Sequence, residues 1–73
     1  MLEQIAEIIR TEVNHKLRMP LAENLRAAAW YVMEEFPHAL ARDFGDAAVL
    51  AGLHRQGAIN RWNEAKQNLE IVG

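Results

Sequence analysis

Hydrophobic residues recur at every third or fourth position along most of the chain, and no segment alternates with the period of two that is typical of a β-strand. In the N-terminal part, Ile5, Ile9, Val13 and Leu17 lie four residues apart. Each step of four exceeds a full helical turn by about 40°, so this stripe winds around the helix. The pattern therefore predicts a first helix, Leu2–Arg18, that crosses its neighbours at an angle instead of forming a long parallel coiled coil.

Pro20 interrupts this pattern and is suited to the first turn of a second helix, which is predicted to extend to Phe36. The apolar face of this helix is formed by Leu21, Leu25, Ala28, Val32 and Phe36. Trp30 and Tyr31 are adjacent, so their side chains leave the helix on different sides. Either one is a core residue and the other lies at the surface, or one of them anchors a protein interface, where aromatic residues are enriched. We favour the second possibility, in which one of the two aromatic residues anchors an interface.

The remaining chain is punctuated by glycines and indicates shorter helices. A third helix is predicted for His38–Phe44, ended by Gly45. Asp46 is a suitable N-cap for a fourth helix over the segment DAAVLAGL, and a last helix covers Ala58–Leu69. The sequence thus predicts an all-α protein, a compact bundle of four to five short helices that forms a single domain over residues 1–73.

The apolar content is high for so short a chain. Hydrophobic residues make up 51% of the 73 residues, while a domain of this size buries only a limited fraction of its surface. The excess indicates that part of the apolar surface packs against a second chain. We therefore expect a homodimer formed mainly by the helices of residues 1–37. The predicted dimer interface consists of Ile5, Ile9, Val13, Leu21, Leu25 and Val32.

Charge and cysteine content exclude several classes of protein. The formal net charge of −2 is unlike that of a non-specific nucleic-acid binder, so any DNA contact depends on a local basic patch. The absence of cysteine excludes disulfides, thiol catalysis and cysteine-ligated zinc, and it favours a reducing cytoplasm. The N-terminal segment is acidic, unlike a secretory signal, and the longest apolar runs are too short to span a bilayer. We expect a cytoplasmic protein with no membrane partner.

Few residues suggest catalysis or metal binding. Glu12 and His15 form an ExxH pair of the kind that di-iron bundles supply from two helices, but a single such pair is frequent by chance. His38 and His54 each lack an evident nucleophile or carboxylate partner, and the sequence has no glycine-rich phosphate loop. We expect a protein that is not an enzyme and that takes no metal, cofactor or small-molecule substrate.

One segment of the C-terminal half resembles a known DNA-binding family. Gln56–Trp62, with the sequence QGAINRW, resembles the recognition helix of Cro-type phage helix-turn-helix repressors. Asp43–Gly45 looks like the Phe-Gly that opens the motif in that family, and Leu69–Gly73 is similar to the tail of some of its members. The resemblance implies that Ile59 and Trp62 pack inward. It also implies that four side chains face the major groove of DNA: Arg55, Gln56, Asn60 and Arg61.

Two alignments of this motif are open. In the first, Gly52 occupies the turn, but it precedes Ile59 by seven residues where the family has about six. In the second, Leu40–Gly45 forms the first helix of the motif, but Asp46 then stands where the family has an aliphatic residue.

Two functional hypotheses follow from these patterns. In the first, the chain is a small non-enzymatic regulator, a phage-type repressor in which residues 1–37 form a dimer and residues 38–73 form a helix-turn-helix-like unit that binds DNA. Residues 54–68 give this hypothesis modest support, because they contain three basic residues and one acidic residue: Arg55, Arg61, Lys66 and Glu64. In the second, which the acidic balance favours, the chain is a helical module that binds and inhibits a partner protein, such as a host regulator, without DNA contact.

Overall fold

The computed structural model describes residues 1–15 and 19–72, and within these ranges it describes the side chains up to Asn68. In this part of the chain all regular secondary structure is α-helix, which confirms the all-α prediction. The helices are α1 (Leu2–His15), α2 (Leu21–Glu35), α3 (Ala41–Leu50) and α4 (Arg55–Val72). Among the described residues, no helix is both long and apolar enough to cross a bilayer. The predicted end of the first helix, residues 16–18, and the final Gly73 lie outside the described residues.

Each helix packs against two others, and together they enclose one hydrophobic core. α1 lies against α2 and α3, and α4 lies against the same two helices. The largest side chains with no exposure to solvent are Ile5 and Ile9 of α1, Val32 of α2 and Phe44 of α3. Trp62 of α4 completes this core and is 5% exposed. The core therefore joins the predicted dimerisation helices to the predicted DNA-binding unit.

The polar side of α1 links this helix to α3. Nη1 of Arg10 lies 3.6 Å from Oε2 of Glu3 and 3.3 Å from Oε2 of Glu7. Nη2 of the same arginine donates a hydrogen bond to the carbonyl oxygen of Leu50 at 3.0 Å. Because Leu50 is the last residue of α3, its carbonyl group has no partner within its own helix. Arg10 therefore satisfies the end of α3 and holds it against α1.

Small residues on α2 allow the neighbouring helices to approach closely. Ala28 and Ala29 have no exposed surface, and Leu25 and Val32 lie one turn before and after Ala28 in the same core. An alanine side chain is a single methyl group, so a larger residue at these positions has to displace a neighbouring helix.

α3 differs most from the sequence prediction. The pattern predicts two helices separated between Gly45 and Asp46, whereas the structure has one helix that continues through both residues. α3 begins after Leu40, whose backbone N–H donates to Oδ2 of Asp43 at 2.8 Å and so stabilises the first turn. Gly45 is buried where α4 approaches, and a Cβ atom there would lie 2.8 Å from Cγ1 of Ile59. Gly45 therefore serves helix packing and does not end a helix.

Most of the predicted dimer interface lies inside the single chain. Four of the predicted interface residues belong to the core: Ile5, Ile9, Leu25 and Val32. A second chain has no access to these side chains in the folded protein. Of the other two, Val13 is half-buried against the core and Leu21 is 47% exposed. The predicted interface is corrected accordingly, because α3 and α4 already cover the apolar stripes of α1 and α2.

Neither of the adjacent aromatic residues of α2 is a core residue. Trp30 is 47% exposed and Tyr31 is 51% exposed. Nε1 of Trp30 donates a hydrogen bond to the carbonyl oxygen of Ala65 at 3.2 Å, which places the indole across the contact between α2 and α4. Tyr31 lines a groove between α1 and α2 instead. The two rings therefore lie on different sides of α2, as expected for neighbouring residues, but both remain accessible.

The close packing of α2 gives a test of the fold. Ala28→Leu is expected to lower the free energy of unfolding by about 1–3 kcal/mol, because the added atoms have no space in the core. Ala27 is half-buried on another side of α2, so Ala27→Leu should change this free energy by less than about 0.5 kcal/mol. Chemical denaturation followed by circular dichroism measures both variants. An equal decrease in the free energy of unfolding in the two variants would contradict the orientation of α2.

Candidate nucleic-acid interface

The turn between α3 and α4 is built around one glycine. Gly52 has a φ of 83°, a left-handed conformation that residues with a Cβ rarely adopt. Its N–H donates to the carbonyl oxygen of Val49 at 2.9 Å, and the N–H of Leu53 donates to that of Ala48 at 2.8 Å. These two bonds form a Schellman motif, which satisfies carbonyl groups at the end of α3. The connection to α4 therefore needs only residues 51–54.

His54 caps the start of α4. Its Nδ1 atom accepts a hydrogen bond from the backbone N–H of Gly57 at 3.2 Å, and its carbonyl oxygen accepts one from the N–H of Ala58 at 3.1 Å. An N-cap side chain that binds the N–H three residues later satisfies one of the donors that a first helical turn leaves without a partner. α4 consequently begins at Arg55, three residues before the predicted start at Ala58.

Three buried residues set the rotation of α4 about its axis. Ala58 and Ala65 have no exposed surface and Trp62 is 5% exposed, at a spacing that places all three on one side of the helix. The ring of Trp62 lies against that of Phe44, with centroids 5.3 Å apart and planes inclined by 39°. Trp62 thus packs inward as expected. Ile59 is half-buried and lies next to Gly45 of α3, whereas the fully buried residue at this turn of α4 is Ala58.

The opposite side of α4 carries a row of uncharged amide side chains. Gln56, Asn60, Asn63 and Gln67 are all exposed, and intervals of four, three and four residues place them on one helical face. Nε2 of Gln56 donates a hydrogen bond to Oδ1 of Asn60 at 3.1 Å. Each amide offers a donor and an acceptor side by side, which suits a planar partner with the complementary pair. We call this row the amide face.

The structure separates the four residues that the resemblance assigns to DNA. Gln56 and Asn60 lie in the amide face, and Arg55 is exposed beside them, next to α3. Arg61 is half-buried on another side of α4, where it borders the start of α2. Arg61 therefore does not share a surface with Asn60.

Two members of the amide face, Asn63 and Gln67, are not among the predicted site residues. The resemblance that located Gln56 and Asn60 ends at Trp62, so it gives no information on the following turns. The helical interval of three or four residues, continued from Asn60, is the signal in the sequence that identifies them.

Both arginines of α4 are paired with carboxylates. Nε of Arg55 lies 2.8 Å from Oδ1 of Asp46. Nη2 of Arg61 lies 2.6 Å from Oε2 of Glu64, and Nε of Arg26 on α2 lies 2.9 Å from Oε1 of the same carboxylate. The hydrogen bonds from Arg61 and then Arg26 lower the pKa of Glu64 below its ordinary value. Because solvent reaches these pairs, they add little stability, but they balance the charges of the two arginines.

The ExxH residues are not brought into a metal site. Glu12 is 8% exposed, whereas His15 at the end of α1 is exposed. In the described part of the chain, no group of three or more His, Cys, Asp or Glu side chains is placed to hold a metal ion.

No protein-family model, no curated protein and no solved structure matches this chain. What α4 binds is therefore inferred from the chemistry of the amide face and from the turn that positions it. The face offers neutral donor and acceptor pairs, and the arginine beside it, Arg55, already has a carboxylate partner.

The conformation of the turn can be tested with two glycine substitutions that are expected to change the free energy of unfolding in opposite directions. Gly52→Ala is expected to lower the free energy of unfolding by about 1–2 kcal/mol, because alanine is strained in the left-handed conformation. Steric overlap is not the cause, since apart from the two neighbours in the chain no described residue has an atom within 4 Å of the Cβ position. At Gly57, a Cβ would meet only His54, at 3.7 and 3.9 Å, so Gly57→Ala should stabilise the protein by about 0.5–1 kcal/mol. A stabilised Gly52→Ala variant, measured by chemical denaturation, would contradict the turn.

Proposed function

We propose that this chain is a DNA-binding regulator of the phage-repressor type that places the N-terminal half of α4 in the major groove. The observation that carries the proposal is the combination of a tight turn between α3 and α4 with an exposed amide face on α4. In helix-turn-helix proteins, the second helix of such a unit lies in the major groove and its N-terminal residues contact base edges, while the first helix crosses the DNA backbone. α4 and α3 correspond to these two helices.

The spacing of buried residues around the turn supports this assignment. Gly52 lies four residues after Ala48 and six residues before Ala58, and both alanines have no exposed surface. The interval of six is the one that Cro-type repressors have between the turn glycine and the buried residue of the second helix. Ala58 therefore has the spacing of the family, which Ile59, one residue later, does not have, although alanine is smaller than the Ile or Val that the family has there.

The amide face has the side chains that bind adenine. The amides of asparagine and glutamine form paired hydrogen bonds with N6 and N7 of adenine in the major groove. Gln56 and Asn60 lie on the first two turns of α4, with Asn63 on the next. The proposed base preference is therefore for adenine at two or three neighbouring positions, with little contribution from the guanine contacts that arginine makes.

The ion pairs beside the amide face limit how strongly the chain binds DNA of any sequence. Much of the contact between proteins and DNA is made with phosphate groups. For Arg55 to bind phosphate it has to leave Asp46, and Arg61 likewise has to leave Glu64. We expect few phosphate contacts, and therefore a weak dependence of binding on salt concentration.

The assignment of bases to the amide face is tested by selection from a pool of duplexes with a randomised central segment, at low salt. The wild-type chain is expected to enrich a motif that contains adenine. Asn60→Ala should lose the preference at one position of that motif and weaken binding to the enriched duplex by about 1–3 kcal/mol. Asn68, exposed on another side of α4, provides the matched control, because Asn68→Ala should leave both motif and affinity unchanged.

Two outcomes would contradict the proposal. One is a folded wild-type chain that neither retains nor enriches any duplex, which would leave the amide face as a surface for another protein. The other is an equal effect of Asn60→Ala and Asn68→Ala.

Asp46 gives an independent prediction, because it competes with phosphate for Arg55. Asp46→Asn should strengthen binding to all duplexes and steepen the dependence of log affinity on log salt by about 0.9, the change expected for one added phosphate contact. Glu3→Gln removes the same charge from an exposed position on α1 and should have a smaller effect on both quantities. Filter binding over a range of salt concentrations measures them, and equal changes in the two variants would refute the role of Asp46.

A further inference from the structure

A groove of about 680 Å³ lies between α1 and α2, and none of the described side chains of α3 or α4 lines it. Its apolar part is formed by Ile8 of α1 and by Tyr31 and Phe36 of the α2 end. Tyr31 is 51% exposed, although a tyrosine ring has a large apolar surface. Aromatic side chains exposed in this way, beside other apolar residues, are typical anchors of protein interfaces.

The same groove is strongly acidic. No lysine or arginine among the described residues lines it. Its acidic lining consists of four glutamates: Glu7, Glu12, Glu34 and Glu35. Glu7 shares the guanidinium of Arg10, at 3.3 Å. Glu34 and Glu35 have no ion-pair partner in the described part of the chain. The groove therefore combines an apolar strip with the negative charge of Glu34 and Glu35, which no described residue balances.

We propose that this groove binds a basic amphipathic helix of a partner protein. A helix laid between α1 and α2 would place apolar side chains on Ile8, Tyr31 and Phe36, as in other complexes in which a helix occupies an apolar groove. Its lysine or arginine side chains would reach Glu34 and Glu35, and a cation over the ring of Tyr31 adds a cation–π interaction. The lining of α1 extends from Gln4 to Glu12, about 12 Å along the helix axis, which matches two turns of such a partner.

The charge of the groove selects against other macromolecules. DNA, RNA and anionic membrane surfaces are repelled by a surface whose described charged side chains are all acidic. Since α4 does not line the groove, a partner bound there leaves the amide face accessible. This inference therefore stands independently of DNA binding by α4.

The test uses the full chain labelled with ¹⁵N and two blocked synthetic peptides. The first peptide contains leucine at intervals of three and four and lysine at the outward positions, with alanine elsewhere, and in the second every lysine is replaced by glutamate. We expect the lysine peptide to shift the backbone amide signals of Ile8, Tyr31 and Phe36 in a saturable manner. The glutamate peptide, which has the same apolar stripe, should not shift them.

A charge-matched pair of double variants separates binding in the groove from attraction by net charge. Glu34→Lys with Glu35→Lys should weaken binding of the lysine peptide by about tenfold or more, since both changes lie in the groove. Glu3→Lys with Glu23→Lys reverses the same charge at exposed positions outside the groove and should weaken it by less than about threefold. Circular dichroism establishes that both variants are folded.

Three results would overturn the proposal. Equal weakening in the two double variants would assign the binding to net charge alone. Absence of a saturable shift at the groove residues would show that the groove does not accept the helix. Shifts of the same signals on raising the concentration of the chain without peptide would assign the groove to a second copy.

Discussion

The packing of Trp62 against Phe44 determines what the opposite side of α4 presents. The rings lie 5.3 Å apart in the core, and Ala58 and Ala65 beside Trp62 let α4 approach closely. A rotation by half a turn, about 180°, would expose the indole. It would also bury amide groups such as that of Asn60 without hydrogen-bond partners, at a cost of about 1–3 kcal/mol each. The exposure of the amide face therefore follows from this contact.

Periodicity alone predicts α1 and α2 closely, because each has an apolar stripe that its neighbours bury. It fails at α3, since Gly45 and Asp46 have the local pattern of a helix end followed by a helix start. Their roles are tertiary instead, because Gly45 admits the side chain of Ile59 and Asp46 pairs with Arg55. The apolar excess that predicts a dimer has a related explanation. Among the residues whose side chains are described, more than half of the buried hydrophobic ones are alanines, which raise the hydrophobic content while each buries little area.

Only the parts of the candidate site that are formed by residues close together in the sequence could be predicted from it. The short resemblance selects Gln56 and Asn60, and both lie on an exposed face of α4. It does not reveal that Arg61 is held by Glu64, because that carboxylate is positioned in part by Arg26 of a distant helix. The acidic groove between α1 and α2 could not be predicted from the sequence either. Its lining comes from two helices, and the hydrophobic pattern does not determine how they are oriented relative to each other.

The NMR signals of the side-chain amide groups report most directly on the proposed DNA contact. In a titration of the ¹⁵N-labelled chain with a duplex enriched from the random pool, the NH₂ signals of Gln56, Asn60 and Asn63 should shift together and saturate. Those of Gln4 and Asn14, exposed on α1, should remain in place. Unchanged signals from the amide face, or equal shifts on α1 and α4, would contradict the assignment of α4 to the major groove.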